Sequence, residues 1–129
     1  MTAKNIVRLC VKESVRQNAE PIATIYRNLG TASAEQVVAR ALGEVALTMA
    51  SISDQFRARD LADLSRQLRK LQSMAENLGM ISLGAVSNDA RICLERGDST
   101  ALSAVWARLI RIAESSLSPE RDMLDGSAS

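Results

Sequence analysis

The chain has 129 residues, enough for one domain whose core needs neither metal nor disulfide to hold it. Its 16 basic and 15 acidic side chains leave a net charge of +1, which argues against a general nucleic-acid binder. There is no histidine, so a Ser/His/Asp set is excluded, and two cysteines alone do not suggest a zinc site.

No run of 18 apolar residues occurs, so no membrane span is expected. Arg8 and Lys12 interrupt the apolar residues that follow Met1–Asn5, so no signal peptide is expected either, and the chain reads as cytoplasmic. Cys10 and Cys93 sit in apolar helical patterns and read as reduced core thiols. Aromatic residues are limited to Tyr26, Phe56 and Trp106, while strong helix formers dominate. β-branched residues never alternate over a strand length, so the expected fold is all-α.

In chain order, residues from Asn5 to about Asn18 read as a first helix, with Val7, Val11 and Val15 on one stripe. Pro21 interrupts or restarts it, because proline removes a backbone donor and clashes with the preceding turn. A short helix carrying Ile22, Ile25, Tyr26 and Leu29 then ends at Gly30. Ser33-Ala34-Glu35-Gln36 fits a capping box, with Ser33 as the cap and Gln36 reaching back. Val38, Leu42, Val45, Met49, Ile52 and Phe56 follow at spacings of four and three, a heptad seam ending near Arg57 or Arg59.

Asp60 is the expected N-cap of the next helix, whose seam is Leu61, Leu64, Leu68, Leu71, Ala75 and Leu78 before Gly79 closes it. A further helix is expected from about Ser82 to Arg96 on Leu83, Val86, Ala90 and Cys93, with Leu94 beside them. Gly97-Asp98-Ser99 reads as a stop followed by a cap. The last helix carries Leu102, Val105, Leu109 and Ile112, with Trp106 and Ile110 widening its apolar face. Residues 119–129 form a polar tail expected to be disordered. Short connections make neighbours antiparallel, so residues 33–117 are expected to form an up-down four-helix bundle. Residues 5–29 are expected to lie across or beside it within the same single domain.

On the helix Asp60–Leu78, the apolar seam centres between Leu64, Leu71 and Ala75. Steps of about 100° per residue then put Arg69 about 130° from that centre, so Ala62, Arg66, Arg69 and Ser73 share one outward stripe. The segment from Arg69 to Gly79, with Leu71, Ala75, Asn77, Leu78 and Gly79 in place, resembles the segment that carries the phosphorylated histidine in histidine phosphotransfer domains. The family pattern is His-x-Leu-Lys-Gly-x-Ala-x-x-Leu-Gly. Arg69 stands at the histidine position, Gln72 at the lysine and Ser73 at the glycine. The order of helices over about residues 33–117 is similar too, and Leu94-Glu95 resembles a pair on the family's next helix, about one turn late.

The resemblance implies a four-helix bundle whose second helix exposes the phospho-acceptor position. It also implies a partner, because in the family this face docks on the acidic pocket of a response-regulator receiver domain or near a histidine kinase. A guanidinium has no lone pair with which to accept a phosphoryl group, so Arg69 cannot carry one. The expected function is therefore binding without phosphate transfer, with no enzymatic activity and no cofactor. The expected partner-binding face is Ala62, Arg66, Arg69, Lys70, Gln72, Ser73 and Glu76. Residues 57–72 hold five cations (Arg57, Arg59, Arg66, Arg69, Lys70) against Asp60 and Asp63, a local excess of three. Arg69 could pair with receiver carboxylates and act as a docked but unreactive donor. The alternative from the residues is a structural or oligomerising helical bundle with no phosphorelay link, and a homodimer stays open under either reading.

Overall fold

The structure, a computed structural model, describes residues 15–117. Among them are five α-helices and no strand. They are α1 (Glu20–Leu29), α2 (Thr31–Ala58), α3 (Leu61–Asn77), α4 (Ile81–Glu95) and α5 (Ser99–Ser116). The expected helix over residues 5–18 falls mostly outside the described residues, and its last four positions, 15–18, are not helical. The expected tail disorder at 119–129 also lies outside them.

Pro21 sits in the first turn of α1, where a missing N–H breaks no intrahelical bond. Gly30 ends α1 by donating its N–H to the Tyr26 carbonyl at 2.9 Å. It also begins α2, because its own carbonyl accepts the Ala34 N–H at 2.9 Å. One residue thus serves both helices, with φ +79°, a conformation that favours glycine. The expected capping box therefore does not form: α2 has already started at Thr31, and Ser33 lies inside its first turn.

Asp60 does stand at the N-cap of α3, but its side chain makes no capping hydrogen bond. Asp98 behaves as expected, its Oδ1 accepting the Ala101 N–H at 3.0 Å at the start of α5. Gly79 and Gly97 both end helical stretches at positive φ.

The heptad seams meet in one core. Val45 and Ile52 of α2, Leu64, Leu68, Leu71 and Ala75 of α3, Leu83, Val86 and Ala90 of α4 and Leu109 of α5 are fully buried. Met80 plugs the turn between α3 and α4, and Cys93 packs partly buried against the cluster with a free thiol. Leu61 departs from its seam and is 43% exposed at the first position of α3.

Consecutive helices pack pairwise, from α1 on α2 through to α4 on α5. Ser65 bonds Glu95 toward one end of the α3–α4 pair, while Glu76 lies against Gly84 toward the other, so these helices run antiparallel. A Cβ at Gly84 would come within 3.2 Å of the Glu76 side chain, so α3 and α4 approach closely there. With 28 residues against 17, α2 outruns α3, and its N-terminal part packs on α1, where Ala34 is fully buried.

Residues 15–18 cross the α3–α4 turn. The Asn18 N–H donates to the Gly79 carbonyl at 2.7 Å. The Arg16 N–H donates to Ser82 Oγ at 2.7 Å, and its carbonyl accepts the Ser82 N–H at 3.2 Å. The N-terminal segment is thereby tied to the end of the α3–α4 pair. Its helix α1 then packs on α2.

Candidate functional site

The outward stripe inferred from periodicity is exposed as expected at Ala62, Arg66, Arg69 and Ser73. Arg69 is the middle residue of the 17-residue α3, and its side chain is 70% exposed. Ser73 stands one turn further on, a small side chain that leaves open approach to the Arg69 guanidinium.

The charges around this stripe are arranged differently from a bare basic patch. Arg66 turns toward α2, pairing with Asp63, which also accepts a hydrogen bond from Gln55 of α2. Arg69 turns toward α4, with its Nη2 at 4.0 Å from Glu95 Oε2. Arg57 is held by Asp54 at 2.6 Å, and the Arg59 guanidinium lies 5.7 Å from the centre of the Phe56 ring. Two of the five cations, Arg57 and Arg69, thus lie beside acids outside residues 57–72, Asp54 and Glu95. Lys70 makes no ion pair with any described residue and lies about 100° round the helix from Arg69, so it borders the Arg69 face on the α2 side.

Glu95 is the hub of the α3–α4 side. It accepts two hydrogen bonds from Arg91 Nη1, at 3.2 and 3.1 Å, and one from Ser65 Oγ at 3.2 Å. Arg91 is only 20% exposed and also donates to Asn88 Oδ1 at 2.7 Å, so it is fixed from two sides. The Arg91 hydrogen bonds hold the Glu95 carboxyl below its usual range, with Ser65 and the nearby charges of Arg91 and Arg69 acting the same way against partial desolvation. Arg66 does the same for Asp63, again against partial desolvation, with Gln55 contributing.

Gln72 and Glu76 belong to a separate hollow. Gln72 is half-buried and its Nε2 donates to Glu76 Oε2 at 3.1 Å. Both line a depression of about 370 Å³ with Gly79, Gly84, Ala85 and Asn88, at the end of α3 where residues 15–18 cross. The seven expected face residues therefore divide: Ala62, Arg66, Arg69 and Ser73 on the stripe, Lys70 on its α2 flank, and Gln72 and Glu76 in the hollow toward α4. Glu95, Arg91 and Ser65 complete the site and were not expected in it. The i,i+4 spacing of Arg91 and Glu95 was a legible signal for their pairing, but their position opposite Ser65 and Arg69 depends on the register of two helices.

No group of three or more metal-ligating side chains occurs among the described residues, and no helix there is long and apolar enough to cross a membrane. Asp89 pairs with Arg108 at 3.6 Å. The chain matches no protein-family model, and no curated protein or solved structure compared with it is significantly similar.

Proposed function

We propose that this protein is a non-catalytic docking module: a phosphotransfer-like four-helix bundle that binds a receiver domain, or the kinase that feeds it, without carrying phosphate. The observation that carries this reading is the position of Arg69. It is exposed at mid-length on α3, with Ser73 one turn on, where the resemblance puts a phospho-accepting histidine and its small neighbour. The support is the residue pattern and this placement; the comparisons add none.

The chemistry of docking follows from the Arg69–Glu95 contact. At 4.0 Å, with both groups exposed, it is too long for a hydrogen bond and contributes little to stability. A receiver's acidic pocket offers carboxylates that can take bidentate hydrogen bonds from the guanidinium, so exchanging Glu95 for them costs little. Arg91 remains to hold Glu95 in place. The protein then occupies the surface that a phosphoryl donor needs, as a competitor or adaptor.

Binding to a panel of receiver domains tests the reading. Arg69→Glu is expected to abolish binding at unchanged helicity and melting temperature, and Glu95→Gln to strengthen it. If no receiver or kinase domain binds the unmodified chain, the reading fails. A gain-of-function arm uses Arg69→His with Gln72→Lys, incubated with an aspartyl-phosphorylated receiver. Acid-labile phosphate on the bundle would mean that the phosphoryl group had moved from the receiver aspartate to the introduced imidazole.

A further inference from the structure

On α2, about 130° round the helix from the buried Val45, Met49 and Ile52, runs a second stripe that the docking reading does not use. Ser33, Val37, Arg40, Glu44, Leu47 and Ser51 fall within an arc of about 80° on the helix. Two of them are large apolar residues facing outward, Val37 at 44% and Leu47 at 73% exposure. Arg40 and Glu44 are exposed and make no ion pair with any described residue, although their spacing allows one.

The order of chemistry along this stripe is self-complementary. Reading outward in both directions from the level of Leu42, Arg40 is matched by Glu44, Val37 by Leu47 and Ser33 by Ser51. We infer that α2 is the interface of a two-fold homodimer, in which the α2 helices of two copies pack antiparallel with their midpoint level with Leu42. Each Arg40 then faces Glu44 of the second copy, and each Val37 faces its Leu47. Both ion pairs and both apolar contacts form twice, as an isologous interface requires.

The surface beside the stripe has the shape this demands. A groove of about 670 Å³ opens between α1, the N-terminal part of α2 and the end of α3. Ile25, Leu29, Val37, Ala41, Met74 and Leu78 supply its apolar wall, and Arg40 and Glu44 stand at it. Leu29, like Val37, is a large apolar residue left exposed there, at 49%. In the antiparallel arrangement, Leu47 of the second copy lies level with Val37 and enters this groove, and the reciprocal Leu47 enters the groove of the second copy. An apolar knob in an apolar recess, with charge pairs beside it, fits a copy of the same chain; a partner of one charge sign would leave Arg40 or Glu44 opposed. The Arg69 face lies on the α3–α4 side of the molecule, so this dimer does not depend on the receiver-docking reading.

Charge exchange tests the pairing directly. Sedimentation equilibrium of the full chain is expected to give a dimer. Arg40→Glu and Glu44→Arg should each weaken it by about tenfold or more, since symmetry makes every change count twice. The double variant, Arg40→Glu with Glu44→Arg, should restore it, and Leu47→Ser should weaken it without altering the melting curve of the monomer. A monomeric mass at all concentrations overturns the inference, as does a dimer that is indifferent to the single charge changes. Cysteine trapping gives an independent measurement should a charge variant fold poorly. In a Cys10→Ser, Cys93→Ser background, Val37→Cys mixed with Leu47→Cys should form disulfide-linked dimers faster than either alone. Equal rates for the mixture and the separate variants would exclude the antiparallel register.

Discussion

Phe56 of α2 and Trp106 of α5 stack face to face, with ring centroids 4.2 Å apart and planes 9° from parallel. The two helices are not consecutive in the chain, so this contact joins the first and last members of the pairwise series α2, α3, α4 and α5. Removing the indole by Trp106→Ala is expected to cost about 2 to 3 kcal/mol, since the ring is partly rather than fully buried. Pairing Trp106→Leu with Phe56→Leu in a double-mutant cycle should give a coupling of about 0.5 to 1.5 kcal/mol. Chemical denaturation measures both, and zero coupling would mean that the rings contribute only buried area.

Gly79 and Gly97 both have positive φ, at 75° and 70°, but only Gly79 is crowded. A Cβ there would meet the Asn18 carbonyl oxygen at 1.9 Å, whereas a Cβ at Gly97 meets nothing within 4 Å. Gly97→Ala is expected to cost about 1 kcal/mol from backbone strain alone. Gly79→Ala should cost clearly more, and it should speed hydrogen exchange of the Asn18 amide, whose acceptor is the Gly79 carbonyl. Equal costs at the two sites would show that residues 15–18 add nothing to stability.

Arg59 is the described non-glycine residue with positive φ, at 61°, where it caps the C-terminus of α2. Its strain is partly offset by the guanidinium lying over the Phe56 ring. Arg59→Gly removes the strain and that contact together, and is expected to leave a net gain of about 0.5 kcal/mol. Arg59→Val keeps the strain and worsens it through β-branching, so it should destabilise. Melting temperatures that fall equally for both variants would contradict this account of the cap.

Asp63 and Glu95 have folded-state pKa values lowered below the usual 3.8 and 4.5, mainly by hydrogen bonds from Arg66 and Arg91 respectively. A lowered folded pKa means that the unfolded chain binds protons first as pH falls. Their stabilisation is therefore present above the ordinary carboxylate range and is lost as pH drops through the folded values. Between about pH 5 and pH 3 the melting temperature should fall, and the fall should be shallower in Glu95→Gln. Solvent reaches both groups, with Asp63 at 29% and Glu95 at 46% side-chain exposure, and keeps the effect small. Superimposable pH profiles for the two proteins would remove Glu95 from the account.

Local pattern made the helices legible: spacings of three and four located α2 to α5, and the apolar positions they marked, such as Ile52, Leu68, Leu83 and Leu109, are buried. The exposure of Ala62, Arg66, Arg69 and Ser73 was legible for the same reason, because a helix of known core face also has a known outer face. The cap of α2 was misplaced because Ser33 fits a capping pattern locally, while one left-handed residue, Gly30, had already turned the chain into the helix. The partners of Arg69 were not legible, since Glu95 lies 26 positions away and reaches it only through the packing of α4 on α3.

From the sequence alone came an all-helical chain with no imidazole to carry a phosphoryl group, and a guanidinium on the outer face of α3. Those features depend on composition and on the 3.6-residue period, which are properties of single segments. The tertiary structure decided how charges are shared, with Glu95 drawing Arg69 and Arg91 to one side and Asp63 drawing Arg66 to the other. It also decided that the N-terminal part of α2 packs on α1 and leaves Val37 exposed beside an apolar groove. Both depend on the register and length of one helix against its neighbour, which arise only when separate seams pack into a common core.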